Sequence, residues 1–134
     1  MTFRPPRAED QAYLRDSWWR EASRTDLFRG MSRAFILDML DAFMKSPTWK
    51  TVVMCDALDT DEIYGWAVYR TCPRSLAYMA VKSSIYEGHG LPIALVKYMD
   101  LCENGPINAM FPPWACKGLG LTFQCDPYLR WVAP

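Results

Sequence analysis

The chain has 134 residues, 51% of them hydrophobic and 22% charged, which is enough to bury a substantial core and fits one domain over residues 1–134. Lys+Arg number 15 and Asp+Glu number 15, with a single His, so bulk charge gives no reason to expect nucleic acid as a partner. Cys55, Cys72, Cys102, Cys116 and Cys125 are odd in number and show no C-x-x-C or paired zinc spacing, so free thiols in a reducing compartment and no metal site are expected.

The elements follow in order. Residues 2–7 suit a short edge strand, because Pro5 and Pro6 cannot donate to a ladder on both sides. Asp10 is placed to cap a helix running to about residue 25, with Tyr13, Leu14, Trp18 and Ala22 on one face and Asp16 and Arg20 at ion-pair spacing. Seven arginines from Arg4 to Arg33 crowd this region, but Glu9, Asp10, Asp16, Glu21 and Asp26 lie among them, which reads as a solvated helix face. Gly30 breaks the chain and Ser32 caps a second helix. Its apolar stripe is Phe35, Ile36, Met39, Leu40, Phe43 and Met44, with Pro47 just beyond.

From Thr51 the period changes. Thr51–Ala57 reads as a buried strand, Asp59-Thr60-Asp61 as a turn, and Ile63–Arg70 as the returning arm of a hairpin. Cys72-Pro73-Arg74 turns into a third strand, Leu76–Lys82. A helix is expected over Leu91–Glu103, with Leu91, Leu95, Tyr98 and Cys102 inward, stopped by Asn104-Gly105-Pro106. Ile107–Phe111 follows as a strand parallel to the third, then a short turn or helix ending near Gly120. A final strand or pair occupies Leu121–Val132. The order β-α-α-β-β-β-α-β-(α)-β predicts an α+β domain with a mixed, mainly antiparallel sheet flanked by helices. Met1 to Arg7 carries no apolar leader and no run approaches the roughly 20 apolar residues of a membrane span, so a soluble, cytoplasmic protein is expected.

The junction Val81–Leu95 is the chemically informative stretch. A strand, a turn bearing Gly88 and Gly90, and a helix start together leave backbone N–H groups at the positive end of a helix, a seat for phosphate.

Set in this order, the chain resembles the GNAT superfamily of acyl-CoA-dependent N-acyltransferases over nearly its whole length. Phe3-Arg4-Pro5-Pro6-Arg7-Ala8-Glu9-Asp10 is similar to the family's first strand entering its first helix, and Ile63-Tyr-Gly-Trp-Ala67 to its "I-V-G-x-A" strand. Tyr86-Glu-Gly-His-Gly-Leu-Pro-Ile-Ala-Leu95 is similar to the pyrophosphate loop "Y-R-G-x-G-[IL]-G-x-x-L", and Lys117-Gly-Leu-Gly-Leu121 to the end of a later helix. The resemblance implies a co-substrate, acetyl-CoA or another acyl-CoA. Its pantetheine arm would pair with main-chain groups of Met79, Ala80 and Val81, and its pyrophosphate would lie on Glu87, Gly88, His89, Gly90 and Leu91. An amine would attack the thioester directly, aided by proximity and oxyanion hydrogen bonds.

The pattern departs from the family at three positions. Glu87 stands where the family has Arg or Gln, and Pro92 where it has Gly or Ala. Cys116 stands where a tyrosine often protonates the leaving thiolate, and reads either as that acid or as a small buried hydrophobe. His89 either touches a phosphate or does nothing. Tyr78 either orients an amine or a water, or packs with its hydroxyl satisfied. No carboxylate falls on Leu76–Lys82, where some relatives carry a general base. These departures, with six tryptophans, motivate two alternatives. One is a catalytically degenerate GNAT-like module that binds a protein partner, of phage or mobile-element type. The other is a nucleic-acid modifier, which net neutrality disfavours.

Overall fold

A computed structural model describes residues 1–82, 90–101, 105–109 and 119–125 of the chain. Among these residues six strands form one sheet in the order β1-β2-β3-β4-β5-β6: β1 Thr2–Arg4, β2 Lys50–Cys55, β3 Ile63–Thr71, β4 Arg74–Val81, β5 Ile107–Ala109 and β6 Phe123–Cys125. The first four are joined antiparallel; β4 with β5 and β5 with β6 are parallel. Among the described residues three α-helices accompany them: α1 Gln11–Ala22, α2 Arg33–Lys45 and α3 Leu91–Tyr98. This is the expected α+β order, with the meander followed by a strand–helix–strand crossover. The expected short helix before Gly120 and everything after Cys125 lie outside the described residues.

The sheet carries a different core on each face. Alternation along β2 and β3 sends Val53, Trp66 and Val68 to the side covered by α1 and α2, where Leu14, Trp18, Ala22, Phe28, Ile36, Leu40 and Phe43 meet them. Val52, Met54, Ala67 and Tyr69 point the other way, to Leu91, Leu95, Val96 and Met99 around α3.

Several local expectations are corrected. Asp10 does not cap α1 with its side chain; a 3-10 turn, Ala8–Asp10, precedes the helix. The carboxylate instead accepts from the Arg7 N–H at 2.7 Å and from Arg4 Nη1 and Nη2 at 2.6 and 3.1 Å. Two guanidinium donors out-compete the helix N–H groups for the same oxygens. Ser32 does cap α2, accepting from Phe35 N at 3.2 Å. Phe35 itself is 39% exposed, and Leu37 takes its place on the buried stripe.

The expected end of α3 at Asn104-Gly105-Pro106 is also too late. The helix ends at Tyr98 because Asp100 adopts φ 59, left-handed backbone that a short polar side chain tolerates. Tyr98 is consequently half exposed and stacks on Phe3, ring centroids 4.2 Å apart, while Met99 and Leu101 are buried in its stead. Ends of β1 to β4 differ from expectation by a few residues, and β6 begins at Phe123 rather than Leu121; the expected continuations of β5 past Ala109 and of β6 past Cys125 lie outside the described residues.

Candidate functional site

The candidate site is the far end of β4 and the start of α3. β4 is paired with β3 along its whole length, from Thr71↔Arg74 to Gly65↔Val81, and the backbones approach closely at the far end. A Cβ on Gly65 would lie 2.7 Å from Ala80 O, so only glycine lets β3 and β4 run together there. On its other edge β4 pairs in parallel with β5 through Ser75↔Asn108 and Leu76↔Ala109. The residues that follow Ala109 are outside the described set.

Just past that short ladder, Val68 pairs with Tyr78 while Tyr69 pairs with Leu76, leaving Ala77 as an extra residue in β4. Such a bulge bends a strand and turns its main-chain groups out of the regular ladder. Ala77 and Tyr78 consequently both contribute to the core under α1 and α2, whereas Leu76 and Met79 belong to the α3 side.

The sequence-predicted site residues divide accordingly. Met79, Ala80 and Val81 form the end of β4, Met79 wholly buried and Ala80 and Val81 partly so. Gly90 precedes α3 with φ 70, a conformation that favours glycine, and the space where a Cβ would stand is open. Leu91 anchors the first turn and is buried, and Pro92 sits at the second position, where its missing N–H breaks no helical bond. The helix ladder opens with Ala94 N on Gly90 O at 2.9 Å, so the N–H groups of Leu91 and Ile93 have no intrahelical acceptor. Glu87, Gly88, His89 and Cys116 lie outside the described residues, as do Lys117 and Gly118 of the later motif.

Tyr78 is 1% exposed, and its hydroxyl is held by Ser17, at 2.9 Å from the Oγ and 3.0 Å from the carbonyl oxygen. Trp66 donates its indole N–H to the same Ser17 Oγ at 3.1 Å. Rings close around this knot: Trp18 meets Tyr78 edge-on at 5.3 Å and Trp66 lies at 4.7 Å. Burial pushes the Tyr78 phenol well above its usual range, and the neighbouring Glu21 carboxylate raises it further. Of the two roles considered for Tyr78, packing with a satisfied hydroxyl accounts for these contacts.

Sequence reasoning missed Ser17, Glu21 and Trp66. The signal was present on α1, where Tyr13, Ser17 and Glu21 recur every fourth residue beside the apolar stripe Leu14, Trp18 and Ala22. Between Glu21's end of α1 and the start of α2, a hollow of about 210 Å³ is lined by Trp19, Ser23, Arg24, Asp26, Arg29 and Met31, among others. Arg29 is tied to Asp26 at 2.7 Å, and Arg33 lies over the Trp19 ring at 5.4 Å. Among the described residues no group of His, Cys, Asp and Glu is placed to hold a metal ion, and no helix is long and apolar enough to cross a membrane.

No family model matches the chain, and no curated protein does. Among solved structures it is similar to a chimera of spermidine N-acetyltransferase SpeG from Vibrio cholerae with hSSAT, at 12% identity and a TM-score of 0.44. It is also similar to a point mutant of SpeG from Vibrio cholerae, at 12% identity and a TM-score of 0.45. In both cases 90% of this chain is covered and 66% of the other, so the chain spans just under two thirds of their length. Likeness of this strength decides neither activity nor acceptor; the fold is defined by the strand order and register above.

Proposed function

We propose that the chain is an acyl-CoA-dependent N-acyltransferase that passes an acetyl group from acetyl-CoA to an amine. The observation that carries this reading is the construction of β4. It is bulged at Ala77, paired in parallel with β5 only through Ser75 and Leu76 among the described residues, and leads to a helix whose entry is the left-handed Gly90. A bulged strand end followed by a glycine-entered helix offers main-chain groups to an extended thioester arm, and a positive helix end to a pyrophosphate.

When bound, the acyl-CoA supplies the activated carbonyl. Main-chain groups of Met79, Ala80 and Val81 would hold its arm, with Glu87, Gly88, His89, Gly90 and Leu91 at the pyrophosphate. Pro92 supplies no N–H, so Leu91 and Ile93 are the helix's own donors. The amine approaches from the α1 and α2 side, where the hollow around Trp19 and Arg24 opens. Cys116 and Tyr78 are retained as candidates near the leaving thiolate and the amine, Tyr78 through the geometry it imposes on β4.

Acetyl-CoA at 100 times its dissociation constant should stabilise the fold by about 2.7 kcal/mol, read as a rise in Tm. No shift at millimolar acetyl-CoA, with no heat by calorimetry, overturns the reading. Glu87→Arg is expected to tighten acetyl-CoA binding if that side chain faces the phosphates.

A further inference from the structure

We infer that the hollow between the end of α1 and the start of α2 binds a small carboxylate with an apolar body, and that the acceptor amine is an apolar α-amino acid. The binding follows from the hollow itself; the role as acceptor rests on the acyltransferase reading above. Size sets the first limit. The hollow holds about 210 Å³, below the roughly 300–1,000 Å³ of drug-sized sites. At roughly 30 Å³ for each water, that is the space of about seven waters. An amino-acid side chain fits such a space, and a nucleotide does not. Phe28 and Ile36, 2% and 1% exposed, lie deepest among its lining residues, with half-buried Trp19 and Met31 beside them.

The rim is polar, and its charges do not balance. Two arginines, Arg24 and Arg29, line it against one carboxylate, Asp26. Asp26 is paired with Arg29 at 2.7 Å. Ser23 and Thr25 give their hydroxyl protons to Arg20 O at 3.2 Å and Ala22 O at 2.8 Å. Arg24 is left over: among the described residues its exposed guanidinium has no ion pair and no side-chain hydrogen bond. Arg33 adds a further positive charge over the Trp19 ring, and the first turn of α2 holds no acidic residue. This surplus repels an amine that carries no acid. It draws a carboxylate to Arg24, whose planar fork matches two carboxylate oxygens.

An apolar α-amino acid meets both demands. Its side chain enters towards Phe28 and Ile36, its carboxylate turns to Arg24, and its ammonium stays at the open mouth. The Trp18 ring links this hollow to β4, lying 6.5 Å from Phe28 and 5.3 Å from Tyr78. In the transfer the nitrogen bonds the thioester carbonyl carbon and the C–S bond breaks. The departing thiolate takes one of the two protons that the ammonium loses, and water takes the other.

Two probes that share one apolar body test this at about pH 7.5: L-phenylalanine, and 2-phenylethylamine, which lacks the carboxylate. By calorimetry without acetyl-CoA, wild type should bind phenylalanine at least about 10-fold more tightly. Arg24→Glu should weaken phenylalanine about 10-fold and reverse the preference. Asp26→Asn frees Arg29 and should tighten phenylalanine by about 2- to 5-fold. Both positions are exposed, and a surface pair contributes little to stability, so Tm should stay within a few degrees of wild type. No binding of phenylalanine, equal affinity for the two probes in wild type, or equal weakening of both by Arg24→Glu overturns the inference. So does weaker phenylalanine binding in Asp26→Asn. With acetyl-CoA present, phenylalanine should be N-acetylated with a kcat/KM at least about 10-fold above that of 2-phenylethylamine. If phenylalanine binds but neither probe is acetylated while acetyl-CoA is bound, the acyltransferase reading falls and the carboxylate site stands. If 2-phenylethylamine is acetylated and phenylalanine does not bind, the carboxylate site falls and the acyltransferase reading stands.

Discussion

The two faces of the sheet are built from different materials. Under α1 and α2 the core is aromatic and partly polar: Trp18 donates to Ile36 O at 2.9 Å while its ring touches Phe28, Phe43 and Tyr78, and Ser17 ties Trp66 to Tyr78. Under α3 it is mainly aliphatic and methionine-rich, with Met54, Leu76, Met79, Leu95, Val96 and Met99 around a single buried ring, Tyr69, among the described residues. Aromatic rings and paired polar atoms fix direction as well as distance, whereas methionine and leucine fill space with little directional demand. The first face therefore sets the geometry of β4 from one side, and the second can repack without moving it.

Trp18→Ala should have the largest effect, about 3–5 kcal/mol, because it opens a cavity and strands an acceptor at once. Chemical denaturation measures it. A smaller loss than for Leu95→Ala on the opposite face would break the contrast.

Asp10→Ala comes next. Arg4 and Asp10 have side chains only 9% and 8% exposed, and removing one partner of a buried pair costs about 3 kcal/mol. The guanidinium of Arg4 holds the Asp10 carboxyl below its usual range. Its contribution is therefore complete above the unfolded-state pKa near 4 and is lost as pH falls through the lower folded value. Wild type should lose stability on acidification below about pH 4 more steeply than Asp10→Asn. Parallel acid curves would show the pair to be worth nothing.

Tyr78→Phe should cost about 1–3 kcal/mol, since Ser17 Oγ loses a buried partner. The same change should also raise KM for acetyl-CoA by disturbing the bulge at Ala77. Unchanged kinetics with the stability loss would restrict the knot to packing. The smallest effect belongs to Met79→Leu on the α3 face, under about 1.5 kcal/mol by thermal melting. A larger loss would mean that this face is as particular as the other.

Much of the fold was legible in the sequence because it depends on local chemistry. Ser32 bonded the first turn of α2 as its residue type suggests, and Asp16 and Arg20 paired across one turn. The strand Ile63–Thr71 began where a turn of three polar residues ended. Misreadings arose where distant groups competed. Asp10 has the right chemistry for a helix cap, but Arg4 arrives from β1 and takes both oxygens. Tyr98 fits an inward spacing until Asp100 turns left-handed and ends the helix a turn early. The site was read less completely than the fold. Gly90 and Pro92 were interpretable from backbone preference alone, whereas Ser17, Glu21 and Trp66 are distant from Tyr78 in the chain and became partners only through packing.

What the sequence determined by itself was the alternation of periods: apolar spacing of three and four for the helices, of two for the strands, with Gly and Pro between them. These follow from backbone geometry, which each residue feels from its neighbours. The tertiary structure decided what surrounds the Tyr78 hydroxyl. Ser17 of α1 and Trp66 of β3 meet there because two helices must cover the sheet and only one line of α1 can face Tyr78. The order of elements is written along the chain, while the neighbours of β4 are fixed only when the layers close.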